Sequence, residues 1–141
     1  MLIDGPPGIG CPVHAAVTGA DLLLAVTEPT PSGLHDLERI VKLAQTFQLQ
    51  TMVLINKADL SEMYVQRIGD LARRFGLQVV GRLPFDPQIP RLLARGEVPL
   101  CLPSWAEGLR LVWLMIHAHL LEGRRPKEIR DAYVETATKS G

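Results

Sequence analysis

Met52-Val53-Leu54-Ile55-Asn56-Lys57-Ala58-Asp59 is a run of four apolar residues that stops abruptly in a polar tetrad. The run does not alternate apolar with polar, as a half-exposed antiparallel strand would. A continuous apolar stretch suits a strand covered on both faces, and hence a parallel sheet. Three more runs of this kind read as strands: Met1–Ile3, Leu22–Val26 and Val79–Leu83, the last interrupted by Gly81 and Arg82. Each run ends in a loop rich in Asp, Asn, Gly, Pro or Thr. If the strands are parallel, these loops share the carboxyl edge of one sheet, which is where ligands bind in such folds.

Helical patterns lie between the strands. Leu34, Leu37, Ile40, Val41, Ala44 and Phe47 mark one over 34–47, and Tyr64, Val65, Ile68, Leu71, Ala72 and Phe75 another over 63–75. Both follow the 3.6-residue period and give one buried stripe. Asp86-Pro87 reads as an N-cap with proline at the first helical position, and Gly96 as the stop. Ser104 and Glu107 form a capping-box pattern that opens a long helix to about Glu122, and Pro126 breaks the chain beyond it. Alternating strand and helix predicts an α/β fold with a doubly wound, mostly parallel sheet. That domain is expected over 1–123, with 124–141 a basic tail that is a short helix or frayed.

Composition narrows the function. The 141 residues carry fifteen Lys and Arg against fifteen Asp and Glu, so the net charge is zero. Nucleic acid and anionic membrane are therefore not expected as partners. Cys11 and Cys101 are too few for a disulfide scaffold and form no CxxC, so neither zinc nor an iron–sulfur cluster is supported within the chain. With no apolar run of spanning length and no signal-peptide pattern, the expected location is cytoplasmic. Leu111–Ile116, with Trp113, is short for a membrane anchor and reads as a helix docked on the sheet. His117 and His119 are two apart on that helix and face different ways, as surface residues rather than metal ligands.

Leu2-Ile3-Asp4-Gly5-Pro6-Pro7-Gly8-Ile9-Gly10 places an acid at the end of a strand. Such a carboxylate can hold Mg²⁺ directly or through its waters, and the Gly/Pro turn can offer N–H groups to a phosphate. A tight turn capped by Asp4, with no ligand, fits the same residues. Gly5 and Gly10 have the spacing of a phosphate-binding loop, but Cys11 and Pro12 stand where Lys and Ser or Thr are needed. Asn56 can hydrogen-bond a purine edge, and the Lys57 stem can cover its face. Asn56-Lys57-Ala58-Asp59 also matches the guanine-reading N-K-x-D of GTPases, and it equally suits a plain strand-end turn. Pro84, Phe85 and Asp86 end the fourth strand, either as the far wall of a base pocket or as an ordinary turn.

Taken together, Ile3–Pro12, Thr27–Asp36, Ile55-Asn56-Lys57 and Leu83–Asp86 resemble the MinD/ParA/Mrp group of P-loop ATPases. The likeness is greatest to the branch with an inserted ferredoxin-type domain, and it covers about residues 1–100. It implies a P-loop NTPase-like fold of the SIMIBI type, incomplete on its N-terminal side. It implies ATP and Mg²⁺ as cofactors, with Asp4 near the Mg²⁺ and the attacking water. Gly8, Asn56, Lys57, Pro84, Phe85 and Asp86 would then be nucleotide-binding, with Asn56 on the adenine edge and Asp59 incidental. The family's P-loop and its cluster-binding insert would belong upstream of residue 1. The expectation is an ATP-binding partial domain, inactive alone, that pairs as a homodimer or with a P-loop-bearing chain. A non-enzymatic interaction module on the same fold is the alternative, and a GTPase using Asn56 and Asp59 the third reading.

Overall fold

The computed structural model describes residues 2–5 and 17–123. Strands β1 (Leu23–Thr27), β2 (Thr51–Ile55) and β3 (Gln78–Arg82) form a parallel sheet in the order β1-β2-β3. Helices α1 (Pro31–Thr46) and α2 (Glu62–Arg74) follow β1 and β2 in the chain. After β3 come α3 (Gln88–Ala94) and the long α4 (Pro103–Gly123), with 3-10 turns at Ala58–Leu60 and Pro99–Cys101.

Strand alternation divides the core into two layers. Ala25, Val53 and Ile55 face Leu37 and Val41 of α1 and Val65, Ile68 and Leu71 of α2. Met52, Leu54, Val80 and Leu83 face Val112 of α4, with Trp105, Leu109, Met115 and Ile116 packed around it. The α/β parallel sheet expected from the continuous apolar runs is therefore formed, with helices on both faces.

The helix starts have local causes. Thr30 has extended backbone, its side chain accepts the Gly33 N–H, and Pro31 sits in the first turn. This starts α1 three residues before the expected Leu34, within what reads in sequence as a loop. Ser61 caps α2 by accepting the Tyr64 N–H. Asp86 is the expected cap of α3, but Pro87 holds the N-cap position without a side-chain cap, and the Asp86 Oδ1 accepts the Gln88 N–H at 2.8 Å from one residue further out; Gly96 lies beyond the end at φ +72°. The side chain of Ser104, and with it the expected capping box, lies outside the described residues, as does the tail 124–141.

One expected strand is absent. Leu2 and Ile3 belong to no strand, and Leu2 is 92% exposed; Met1 lies outside the described residues. So short an apolar run, ending in Asp4-Gly5, buries too little to offset the entropy of ordering it without an adjacent strand. Among the described residues, nothing pairs with the outer edge of β1.

β3 carries an irregularity that explains Gly81. Val53 pairs with Val79 but Leu54 pairs with Gly81, so Val80 is the extra residue of a bulge. The bulge turns Val80 and Gly81 toward the same helix. A Cβ at Gly81 would lie 2.6 Å from Val112 Cγ2 and 3.2 Å from Leu54 Cδ1. The glycine that weakens β3 as a strand in sequence is what lets α4 sit against it. Gly81→Ala is expected to lose about 1–3 kcal/mol of stability, the scale of overpacking. Gly69→Ala, in open space on α2, should instead gain about 0.5–1 kcal/mol. Urea denaturation of both variants checks the contrast; equal effects would mean that the α4 contact is not tight.

Candidate functional site at the carboxyl edge of the sheet

Because β1, β2 and β3 are parallel, the loops after them meet on one edge. Backbone hydrogen bonds join these loops in sequence. The Asn56 N–H donates to the Thr27 carbonyl at 2.8 Å, and the Leu83 N–H to the Ile55 carbonyl at 2.8 Å. The Ala58 N–H then reaches the Leu83 carbonyl at 2.9 Å. Asn56-Lys57 and Pro84–Asp86 are thus on adjacent loops, as a base pocket needs.

Asn56 uses its own side chain to shape its loop. Its Oδ1 accepts the Lys57 N–H at 3.0 Å. This fixes the amide orientation, and the Nδ2 donors have no protein partner among the described residues. Lys57 is left-handed, with φ 51° and ψ 46°, a conformation costly for a residue with a Cβ. Its ammonium meets Glu28 Oε1 at 2.6 Å across the ends of β1 and β2.

The second loop is held from two sides. The Phe85 N–H donates to Asp59 Oδ1 at 2.6 Å, and Trp105 Nε1–H donates to the Pro84 carbonyl at 3.0 Å. Phe85 is 45% exposed on this second loop. Asp86 Oδ1 is engaged by the Gln88 N–H at the start of α3.

Asp59, incidental by the resemblance, is a structural brace between the two loops. Asp59→Ala is expected to cost about 1–2 kcal/mol, the scale of a charge-assisted hydrogen bond to a backbone N–H. Amide exchange at Phe85 should speed up accordingly, while that at Leu54 follows only global stability. An unchanged Phe85 rate would show that the brace carries no energy.

The phosphate-side residues are placed differently. Asp4 is exposed and belongs to no strand, and Gly8 lies outside the described residues. The sequence reading places Glu28 and Gly33 in the Thr27–Asp36 motif without giving either a site role. Glu28 is the first residue past β1, the position that Asn56 holds past β2, and that equivalence was the available signal. A Cβ at Gly33 would lie 2.2 Å from the Glu28 carbonyl oxygen, so only glycine lets the first turn of α1 close against Glu28. The Thr27 hydroxyl donates to the Gly33 carbonyl at 3.0 Å and locks the same turn.

Elsewhere the polar groups have ordinary structural roles. His117 stacks on Trp113 with ring centroids 6.2 Å apart, and His119 Nε2 lies 2.5 Å from Gln50 Oε1. Among the described residues, no group of three His, Cys, Asp or Glu could hold a metal ion. No described helix is long and apolar enough to cross a membrane. Two described carboxylates are held below the usual range. Glu38 is lowered chiefly by its hydrogen bond from Lys42, and Glu107 by its hydrogen bond from Arg110. A depression of about 580 Å³ lies at the opposite, amino edge, where Gln50 and Gln78 precede or open the strands. Its lining of glutamines, Phe75 and His119 carries no acid or phosphate-binding group.

Comparison with known proteins bears on the fold. No protein-family model matches the chain. It is 30% identical over 100 residues to an uncharacterised protein of Methanocaldococcus jannaschii, MJ0578, covering 71% of this chain and 32% of that protein. It is 26% identical over 103 residues to an uncharacterised ATP-binding protein of the same organism, MJ0685, covering 71% and 40%. It is 27% identical over 105 residues to the assigned septum site-determining protein MinD of Nephroselmis olivacea, covering 72% and 38%. Among solved structures, the MinD cell division protein of Aquifex aeolicus superposes with a TM-score of 0.65 at 22% identity, over 79% of this chain and 50% of that one. A chain of the MinC:MinD cell division protein complex of the same organism gives 0.63 at 21%, over 78% and 48%. The chain therefore has the fold of part of MinD, and it spans about a third of the length of the curated relatives it matches.

Proposed function

We propose that this chain forms the base-side half of an adenine-nucleotide site, as an ATP-binding part of a MinD-like ATPase that is inactive by itself. One observation carries the reading: on the carboxyl edge of a MinD-like sheet, the Asn56-Lys57 loop is bonded to the Leu83–Phe85 loop. The Nδ2 donors of Asn56 suit a ring-nitrogen acceptor of a purine. The Lys57 stem and the exposed Phe85 face suit its flat surfaces.

The triphosphate and Mg²⁺ do not fit the described residues as well as the base does. The Lys57 ammonium is engaged by Glu28, and Asp4 stands outside the sheet. In this reading Asp4 would serve Mg²⁺ only when a P-loop is supplied, by a P-loop-bearing chain or within a homodimer. The outer edge of β1, which pairs with no strand among the described residues, is where a further strand would join. A tie to the ferredoxin-insert branch remains part of this proposal, resting on the Ile3–Pro12 and Thr27–Asp36 motifs.

Asp59 Oδ1 accepts the Phe85 N–H, which leaves Oδ2 as the oxygen open to a guanine edge in the GTPase reading. An interaction module has one observation of its own. Leu93, Val98 and Leu100 are 59%, 66% and 58% exposed around α3 and the turn after it, and exposed apolar side chains suit a partner surface.

Competition binding with ATP and GTP analogues decides among these readings. Adenine should be preferred, and Asn56→Ala should weaken binding by about 1–2 kcal/mol, one hydrogen bond with its partner left unmet. A guanine preference would establish the GTPase reading. No binding of either nucleotide would leave the interaction module.

A further inference from the structure

Glu28 lies in the most rigidly built turn of the carboxyl edge. Its carbonyl accepts the Thr30 N–H at 2.8 Å, and the next residue, Pro29, is fully buried. Gly33 closes against that same carbonyl, and Thr27 and Thr30 bond Gly33 from either side. Lys57 is the opposite case. It holds a left-handed conformation that a non-glycine residue leaves unless surrounding contacts over-determine it. Those contacts include the Asn56 side chain at its N–H, the Leu60 N–H at its carbonyl, the Leu83 carbonyl at the following N–H, and Glu28 at its ammonium. The Asn56 N–H ties the loop backbone to β1 through the Thr27 carbonyl, and Glu28 is the side chain from that edge that reaches Lys57 itself.

We propose that Glu28 is a positioning residue for the base-reading loop: by holding the Lys57 ammonium it keeps the left-handed turn that sets the Asn56 amide. This rests on the nucleotide reading above for its consequence, but not for its geometry. The ion pair also neutralises Lys57, so the loop offers a purine an uncharged methylene stem and amide donors. Lys57 is the one cation within Asn56–Asp59, and Glu28 already engages it. Glu28 thereby favours the base over the phosphates as the group bound at this loop.

The test uses the whole chain and begins without nucleotide. Amide exchange at Lys57 and Ala58, referenced to Leu54, is measured in wild type, Glu28→Gln, Lys57→Met and the double variant. Each single change should speed exchange about threefold, the scale of a half-exposed ion pair, and the double variant no further. Raising NaCl to ~1 M, where the Debye length is ~3 Å, should speed exchange in wild type alone. Additive effects, or a wild type indifferent to salt, would overturn the proposal whatever nucleotide does. The second readout is affinity for an ATP analogue, which Glu28→Gln should weaken about threefold, with recovery in the exchanged pair Glu28→Lys with Lys57→Glu. Coupled exchange with unchanged affinity would also overturn it, since the acid would then brace the fold without serving the base. If wild type binds no nucleotide, the function proposed above fails, and coupled, salt-sensitive exchange would still support Glu28 as the residue that sets the loop.

Discussion

A polypeptide of these 141 residues, supplied with ATP and Mg²⁺, is expected to release phosphate no faster than a blank. Phosphoryl transfer depends on positioned positive charge around the developing phosphate oxygens, and a single well-placed cation is worth about 10³–10⁵ in rate. The sequence has no G-x-x-x-x-G-K-[ST]; its nearest approach, Gly5 to Gly10, continues into Cys11-Pro12. At the carboxyl edge Lys57 is bound to Glu28, with 2.6 Å between ammonium and carboxylate oxygen. Steady-state phosphate release checks this. Mg²⁺-dependent turnover in wild type that disappears in Asp4→Ala would refute it, and would make Asp4 part of a working centre within this chain.

Ile55→Ala is expected to lose about 2–5 kcal/mol, the range for emptying a large aliphatic site in a packed core. Ile55 is fully buried between β2 and the α1–α2 layer, among Val53, Val65 and Ile68. Against a total of ~5–15 kcal/mol for a domain, that loss is a large share. The site should suffer with the core, because Ile55 precedes Asn56 and its carbonyl receives the Leu83 N–H that brings the two loops together. Urea denaturation gives the energy. A loss below ~1 kcal/mol would mean that the layer collapses into the cavity and that the core is loosely packed.

Much of this molecule can be read along the chain. Leu22–Val26, Met52–Ile55 and Val79–Leu83 each fall within one residue of an observed strand. The 3.6-residue stripes of 34–47 and 63–75 mark helices that start earlier where Thr30 and Ser61 cap them and end one residue earlier. Met1–Ile3 has the same apolar character, yet Leu2 and Ile3 form no strand. A strand is a pairing with a neighbour, and its own residues do not contain that neighbour.

The same division holds at the candidate site. Asn56, Lys57, Pro84, Phe85 and Asp86 are visible in sequence because each follows an apolar run, and parallel strands bring such positions to one edge. What the sequence by itself determined is this: continuous apolar runs make buried parallel strands, and polar residues at their ends must face a common edge. Only the tertiary structure decided that Glu28 holds Lys57, that Asp59 braces Phe85, and that Gly81 makes room for Val112. These partners are roughly thirty residues apart in the chain. Local propensity and periodicity act over a few residues, whereas strand register and helix packing set which distant side chains come within a few ångströms.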